Sequence, residues 1–216
     1  MIVIEKLTKR YGEATVFENI NLTFSPSTIS GLVGENGCGK TTLMRCICGF
    51  TKPTEGRVTV LDKVIGKDAD FAPSTGVIIE NSGFLNHYSA RQNLALLADI
   101  SGKAATRRID EVIRLVGLDP DSKKHLGQYS LGMTQRLAIA QAIMEDPEIL
   151  ILDEPFNGLD KQGQADIHEL LQSLKAQGKT ILLASHSAGD IGRACDIVYE
   201  VRRGKVVRME PGGTAD

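Results

Sequence analysis

Short unbroken apolar runs recur along this chain, and in its middle third the apolar residues change to helical spacing. Ile2-Val3-Ile4-Glu5-Lys6-Leu7 reads as a strand, and Asn19-Ile20-Asn21-Leu22-Thr23-Phe24 alternates as another, with the turn Tyr11-Gly12 between them. Residues 29–33 and 76–79 read as buried strands, the second ending at Glu80, and residues 57–60 as a short one. Residues 149–152 are too few for a helix and apolar on both faces, as a central parallel strand requires, and 180–184 form the next such run. From Ser89 the spacing turns helical. Ser89 caps a helix over 90–100, and Thr106 caps one over 107–116 with Ile109, Val112, Ile113 and Val116 on one face. A further helix covers 132–144 and stops before Pro147; Asp160 caps another over 161–176. A final hairpin, 197–201 and 206–208, turns through Arg203-Gly204. Strand–helix alternation interrupted by a helical block predicts an α/β core with a helical insertion.

Composition narrows this little. At 216 residues, with 42% hydrophobic and 24% charged content, the chain fits one globular domain that buries a real core. A net charge of -2 gives no bulk drive toward nucleic acid or an acidic membrane surface, and no nucleic-acid partner is expected. No apolar run approaches the roughly 18 residues that span a bilayer, and residues 1–9 lack the apolar segment of a signal peptide. The four cysteines, Cys38, Cys46, Cys48 and Cys195, show no metal-ligand spacing. Cys38, among the convergent N–H groups near Lys40, is the exception, expected to be alkylatable and protected by ATP.

The chemistry concentrates in three places. Gly34-Glu35-Asn36-Gly37-Cys38-Gly39-Lys40-Thr41 fits G-x-x-x-x-G-K-[ST] at every fixed position, between an apolar strand and the helical run from Thr42. Backbone N–H groups in such a loop converge on phosphate oxygens, Lys40 reaches the outer phosphates, and the Thr41 hydroxyl ligates Mg²⁺. The strand over 149–152 delivers Asp153 and Glu154 to the carboxyl edge of the sheet, where ligands of open α/β sheets bind. Asp153 is placed to hold Mg²⁺ and Glu154 to polarise an attacking water. His186, two residues past the strand over 180–184, leaves the same edge and can reach the outermost phosphate. Thirdly, Tyr129-Ser130-Leu131-Gly132-Met133-Thr134-Gln135-Arg136 begins a helix with a free hydroxyl and exposed N–H groups, an anion site without a lysine. Which phosphate it serves does not follow from the residues alone.

Over almost its whole length the chain resembles the nucleotide-binding subunit of ABC transporters. The glycine loop is similar to the family's Walker A, with Thr42 next in line, and residues 149–154 to its Walker B. Residues 129–133 are similar to the signature sequence, Asn157-Gly158-Leu159-Asp160 to the D-loop, His186 to the switch histidine, and Tyr11 to the aromatic that stacks on adenine. The resemblance implies a P-loop NTPase (RecA-like) core with an N-terminal antiparallel β-subdomain, built from 1–84 and 145–216, and an inserted α-helical subdomain over 85–144. It implies ATP and Mg²⁺ as ligands, and a head-to-tail dimer with a second ATP-binding subunit. In that dimer Ser130, Leu131, Gly132, Met133 and Asp160 would meet the partner's ATP, and a separate transmembrane permease subunit would be driven from the cytoplasmic face of the membrane.

Two departures from the usual family pattern narrow the reading. Leu131 and Met133 stand where the signature usually has a glycine and a glutamine, and Glu80 stands where a glutamine is usual. Both features are similar to the bacitracin- and lantibiotic-type proteins, which export antimicrobial peptides or confer immunity to them. Glu80 is expected to join Thr41 and Asp153 around Mg²⁺, the other reading being a strand-end acid paired with Arg91. A soluble, non-transport ATPase of the same family, for example in iron–sulfur assembly, is the alternative function.

Overall fold

The computed structural model describes residues 1–80, 83–102 and 106–209. Two sheets are stacked around the helix that comes after the glycine loop. The first is antiparallel, in the order β2 (Ala14–Phe24), β1 (Ile2–Tyr11), β4 (Glu55–Val60), β5 (Lys63–Val64). The second runs β10 (Lys205–Arg208), β9 (Ile197–Arg202), β3 (Ile29–Val33), β8 (Thr180–Ser185), β7 (Ile149–Asp153), β6 (Thr75–Ile78), parallel except for β10 at one edge. β3 and β8 are buried at every residue and β7 at all but its last, which is the reason for their unbroken apolar sequences.

β1 and β2 are longer than their alternation indicates. Their pairing slips between Ile4 and Leu7 and again before Lys9, with Lys6 and Asn19 both at positive φ. The Asn21 side chain accepts from the Lys6 N–H at 2.9 Å and Thr8 Oγ accepts from the Asn19 N–H at 3.1 Å, so side chains satisfy the backbone where the ladder is broken. The bulges scramble the period-two pattern that sequence reading depends on.

α1 (Lys40–Cys48) lies between the sheets and shares a core with Phe17, Phe24, Ile149, Ile151, Leu182 and Val201. The opposite face of the parallel sheet carries the helical segment: α2 (Ala90–Ser101), α3 (Thr106–Leu115) and α4 (Leu131–Ile143), joined on the same core by α5 (Lys161–Ala176) and α6 (Ala188–Ala194). Ser89 forms a full capping box with Gln92, as its position before α2 predicts. The apolar face of α3 is buried at Ile109, Val112 and Ile113. α4 is apolar all round from Leu137 to Ala140 and is buried there, wedged between α3 and β6. At that crossing a Cβ on Gly76 would sit 1.9 Å from the Ala142 carbonyl oxygen, so only glycine lets α4 touch the strand. α6 is not legible in the sequence because Gly189 and Gly192 interrupt its pattern; Ser187 caps it through the Asp190 N–H.

Candidate nucleotide site

Register brings the candidate residues to one edge. Val33 of β3 lies beside Ser185 of β8, Asp153 of β7 beside Ala184, and Ile78 of β6 beside Leu152. The segments just past these strand ends therefore emerge together: the glycine loop, His186, Glu154 and Glu80.

Gly39 adopts φ 112, and a Cβ there would meet the Phe17 ring at 2.6 Å, so the antiparallel sheet holds the loop from one side. α1 starts at Lys40 without a side-chain cap and without an acid in its first turn. The starts of α2, α4, α5 and α6 are all capped, by Ser89, Ser130, Asp160 and Ser187. An uncapped helix start offers unpaired N–H groups and a positive dipole end to an anion. Glu35, Asn36 and Gly37 are exposed; Gly34, Cys38, Thr41 and Thr42 are half-buried. The Cys38 N–H donates to the Glu35 carbonyl at 3.3 Å and closes the turn.

Lys40 is 6% exposed, and its Nζ donates to the carbonyls of Gly34 at 2.6 Å and Glu35 at 3.2 Å. Among the described residues no carboxylate lies within the 4.0 Å of an ion pair with it. A buried ammonium held by neutral oxygens alone is an unbalanced charge, and a phosphate over the loop would balance it. That imbalance is the fit of this chain to a triphosphate.

The Thr41 hydroxyl donates to Asp153 Oδ2 at 2.5 Å. Burial pushes the Asp153 carboxyl above its usual range; the Thr41 bond opposes this, Glu154 adds to it, Lys40 opposes it and Glu80 adds again. A half-buried carboxylate that also feels the charges of two further acids favours a cation. Among the described residues no three His, Cys, Asp or Glu side chains converge as a cage. One hydroxyl–carboxylate pair facing phosphates suits Mg²⁺, which keeps waters and shares substrate oxygens instead of demanding a protein cage.

Glu154 sits at φ 49, turned back toward β8. Its Oε1 accepts from the His186 N–H at 2.9 Å and lies 2.9 Å from His186 Nδ1, while Oε2 accepts from the Ser185 hydroxyl at 3.1 Å. His186 thus meets the carboxylate in this structure, with its ring 60% exposed. Ser185 is a site residue that the sequence pattern does not single out, although a hydroxyl residue directly before the strand-end histidine is the available signal.

Ser130 caps α4 by accepting from the Met133 N–H at 3.2 Å, and Leu131 is 65% exposed. The turn leans on the residues after β7: a Cβ on Gly132 would come within 2.7 Å of the Gly158 carbonyl oxygen, and Gln135 Nε2 donates to the Glu154 carbonyl at 3.2 Å. Asp160 caps α5 through the Gly163 N–H at 2.9 Å. Tyr11 ends β1, half exposed, with Lys9 Nζ 4.5 Å from its ring centroid; Val16 and Phe17 of that sheet lie against Gly39 of the glycine loop, neither of them marked by the sequence. The other reading of Glu80, as an acid paired with Arg91, is corrected. Its carboxylate is 3.1 Å from Arg45 of α1, and Arg91 is paired instead with Asp110 at 2.8 Å.

Residues 17–157 match the family model described as ABC transporter. The chain belongs to that family: it is an ABC transporter ATP-binding domain, an ATPase with a P-loop NTPase fold. It is 43% identical over 97% of its length, and 96% of the relative's, to the uncharacterized ABC transporter ATP-binding protein YybJ of Bacillus subtilis. It is 39% identical to the bacitracin transport ATP-binding protein BcrA of Enterococcus faecalis, covering 96% of this chain and 68% of that protein. In three dimensions it matches a dimeric ATP-binding cassette in a post-hydrolysis state bound to ADP and Pi, with a TM-score of 0.86 over 99% of this chain and 100% of the other; at 23% identity this is a likeness of fold. No helix among the described residues is long and apolar enough to cross a membrane.

Proposed function

We propose that this chain is the motor subunit of an exporter for antimicrobial peptides, working as a head-to-tail dimer that closes over two ATP molecules at the cytoplasmic face of a membrane. The observation that carries the reading is the division of the site. Lys40, Thr41, Asp153, Glu154 and His186 stand together on one sheet edge, whereas the Ser130–Gly132 turn faces outward with Leu131 exposed.

In this reading the loop N–H groups from Gly34 to Thr42 and the Lys40 ammonium hold the phosphates, and Tyr11 lies against the adenine once Lys9 moves aside. Thr41 and Asp153, with Glu80 nearby, would hold Mg²⁺, which supplies charge neutralisation on the phosphates. Glu154, aligned by Ser185 and His186, orients a water and accepts its proton. Ser130 Oγ and the first N–H groups of α4, from the second subunit, grip the outer phosphate, and Leu131, Met133 and Asp160 line that contact. ATP joins the two subunits and hydrolysis releases them.

A cleft of about 720 Å³ between β6 and α4, lined by Phe50, Gly76, Glu80, Leu97 and Gln141 among others, supports docking of a separate permease beside the site. Phe50 and Phe71, exposed at 52% and 61% with rings 6.0 Å apart, extend that surface with apolar area. The peptide cargo is supported by the similarity to the bacitracin relative and by Glu80, Leu131 and Met133. Loss of the chain from its host is expected to sensitise cells to a bacitracin- or lantibiotic-type peptide. Wild type should restore resistance and Glu154→Gln should not; unchanged sensitivity would remove the peptide assignment.

A further inference from the structure

Arg45 lies outside the nucleotide site, yet it is tied to it. It sits in the last turn of α1, where its carbonyl accepts from the N–H groups of Phe50 at 2.9 Å and Thr51 at 3.2 Å. Its side chain reaches across to the end of β6, and Nη2 donates to Glu80 Oε2 at 3.1 Å. Nε is buried with no hydrogen-bond partner among the described residues, so the Glu80 carboxylate is what holds this guanidinium in place.

The charges around this pair give it a purpose. Glu80 stands two residues past Ile78, whose register partner Leu152 directly precedes Asp153, and its charge reaches Asp153. The edge thus collects three acids, Asp153, Glu154 and Glu80, where a polyanion has to bind. Lys40 is committed to the loop carbonyls and, among the described residues, pairs with none of the three. Left alone, Glu80 would add a full negative charge at this edge and repel the incoming triphosphate. It also sits at φ 63, a left-handed conformation uncommon for a residue other than glycine.

We propose that Arg45 is a positioning residue for nucleotide binding: it neutralises Glu80 and fixes that carboxylate beside Asp153, making a glutamate compatible with a phosphate site. The same ion pair ties the phosphate-loop helix to the segment just past β6. Both side chains are partly exposed, at 40% and 59%, which makes the pair weak as a contributor to stability and leaves its effect on ligand charge as the measurable one.

The inference rests on ATP binding at the loop, and its test separates the two. Affinity for Mg·AMP-PNP would be measured by calorimetry for wild type, Arg45→Ala, Glu80→Gln and the double variant, with thermal melts as a folding control. Wild type that failed to bind the analogue would overturn the site itself. With wild type binding, Arg45→Ala is expected to lose about tenfold in affinity when Glu80 is present. In the Glu80→Gln background, where a neutral amide replaces the carboxylate, the same substitution should lose less than about threefold. Arg45→Lys should retain affinity within about threefold, since the charge is kept. Equal losses in both backgrounds, or none in either, would overturn the proposal. If Arg45→Ala does not fold, Arg45→Gln takes its place in the same cycle.

Discussion

The two candidate anion-binding regions of this chain are both helix starts, and they are finished to different degrees. At α1 the helix is uncapped, the lysine behind it is buried, and the acids facing it are already bonded: Thr41 to Asp153, and Ser185 and His186 to Glu154. At α4 the helix is capped by Ser130, no lysine lies in its first turn, and Leu131 projects into solvent. Chemistry that must be aligned before a ligand arrives is built on buried parallel strands, whose register fixes neighbours to within a residue. The surface that a second subunit would reach in the proposed dimer is instead left outward, at the start of α4. The two regions meet at a seam that includes the Gly132–Gly158 approach and the Gln135–Glu154 bond.

Breaking the finished half should have the largest effect. Glu154→Gln removes the proposed proton acceptor while leaving Lys40 and Thr41 intact, and steady-state ATP hydrolysis is expected to fall by about 10²–10⁴-fold with ATP still bound. A variant that turns over at the wild-type rate would show that another group activates the water.

The cysteines sharpen the contrast between interior and loop. Burial pushes Cys46 up to about 11 and Cys48 and Cys195 up to about 12, so these thiols stay protonated and inert at neutral pH. Cys38, half-buried in the glycine loop, should be alkylated by iodoacetamide at least about tenfold faster, and Mg·ATP should protect it. Mass spectrometry showing Cys195 modified first would contradict the loop's accessibility.

At the seam, Gly132→Ala puts a methyl group against the Gly158 carbonyl. Turnover is expected to drop about tenfold while the monomer's affinity for ATP holds, because the clash lies outside the phosphate loop. An equal loss of affinity would mean that the two regions are not separable.

The smallest effect concerns His168, stacked on Phe156 with ring centroids 5.0 Å apart, behind the finished half. Burial holds it below the usual 6.5; Asp190 pulls it up and Arg193 pushes it down. A depressed histidine stays neutral in the folded chain while the unfolded chain takes up a proton, so the stability it contributes is complete above pH 6.5 and is lost as pH falls through the folded value. The melting temperature should decline by an additional ~1–2 °C between pH 7.5 and 5.5, a decline that His168→Gln removes. A pH profile identical in the variant would assign the decline elsewhere.

Much of the finished half is legible in the sequence because its residues are adjacent along the chain or sit at the ends of apolar runs. The glycine loop, Asp153 and Glu154 need no three-dimensional information beyond the strand before them. The hidden features depend on partners distant in sequence: Ser185 on Glu154, Phe17 on Gly39, Arg45 on Glu80. The β1–β2 bulges and the glycines of α6 hide elements for a local reason, since each disturbs the period on which pattern reading relies. The outward half is legible as a capped helix start, and its role comes from resemblance.

If this chain holds half of a composite site, the two halves must meet only when ATP lies between them. Glu154→Gln, incubated with Mg·ATP and passed over a calibrated size-exclusion column, is expected to elute as a dimer that returns to monomer when ATP is removed. Adding Ser130→Arg should abolish the dimer while nucleotide binding persists. A dimer indifferent to Ser130→Arg, or a monomer at saturating ATP, would contradict the account.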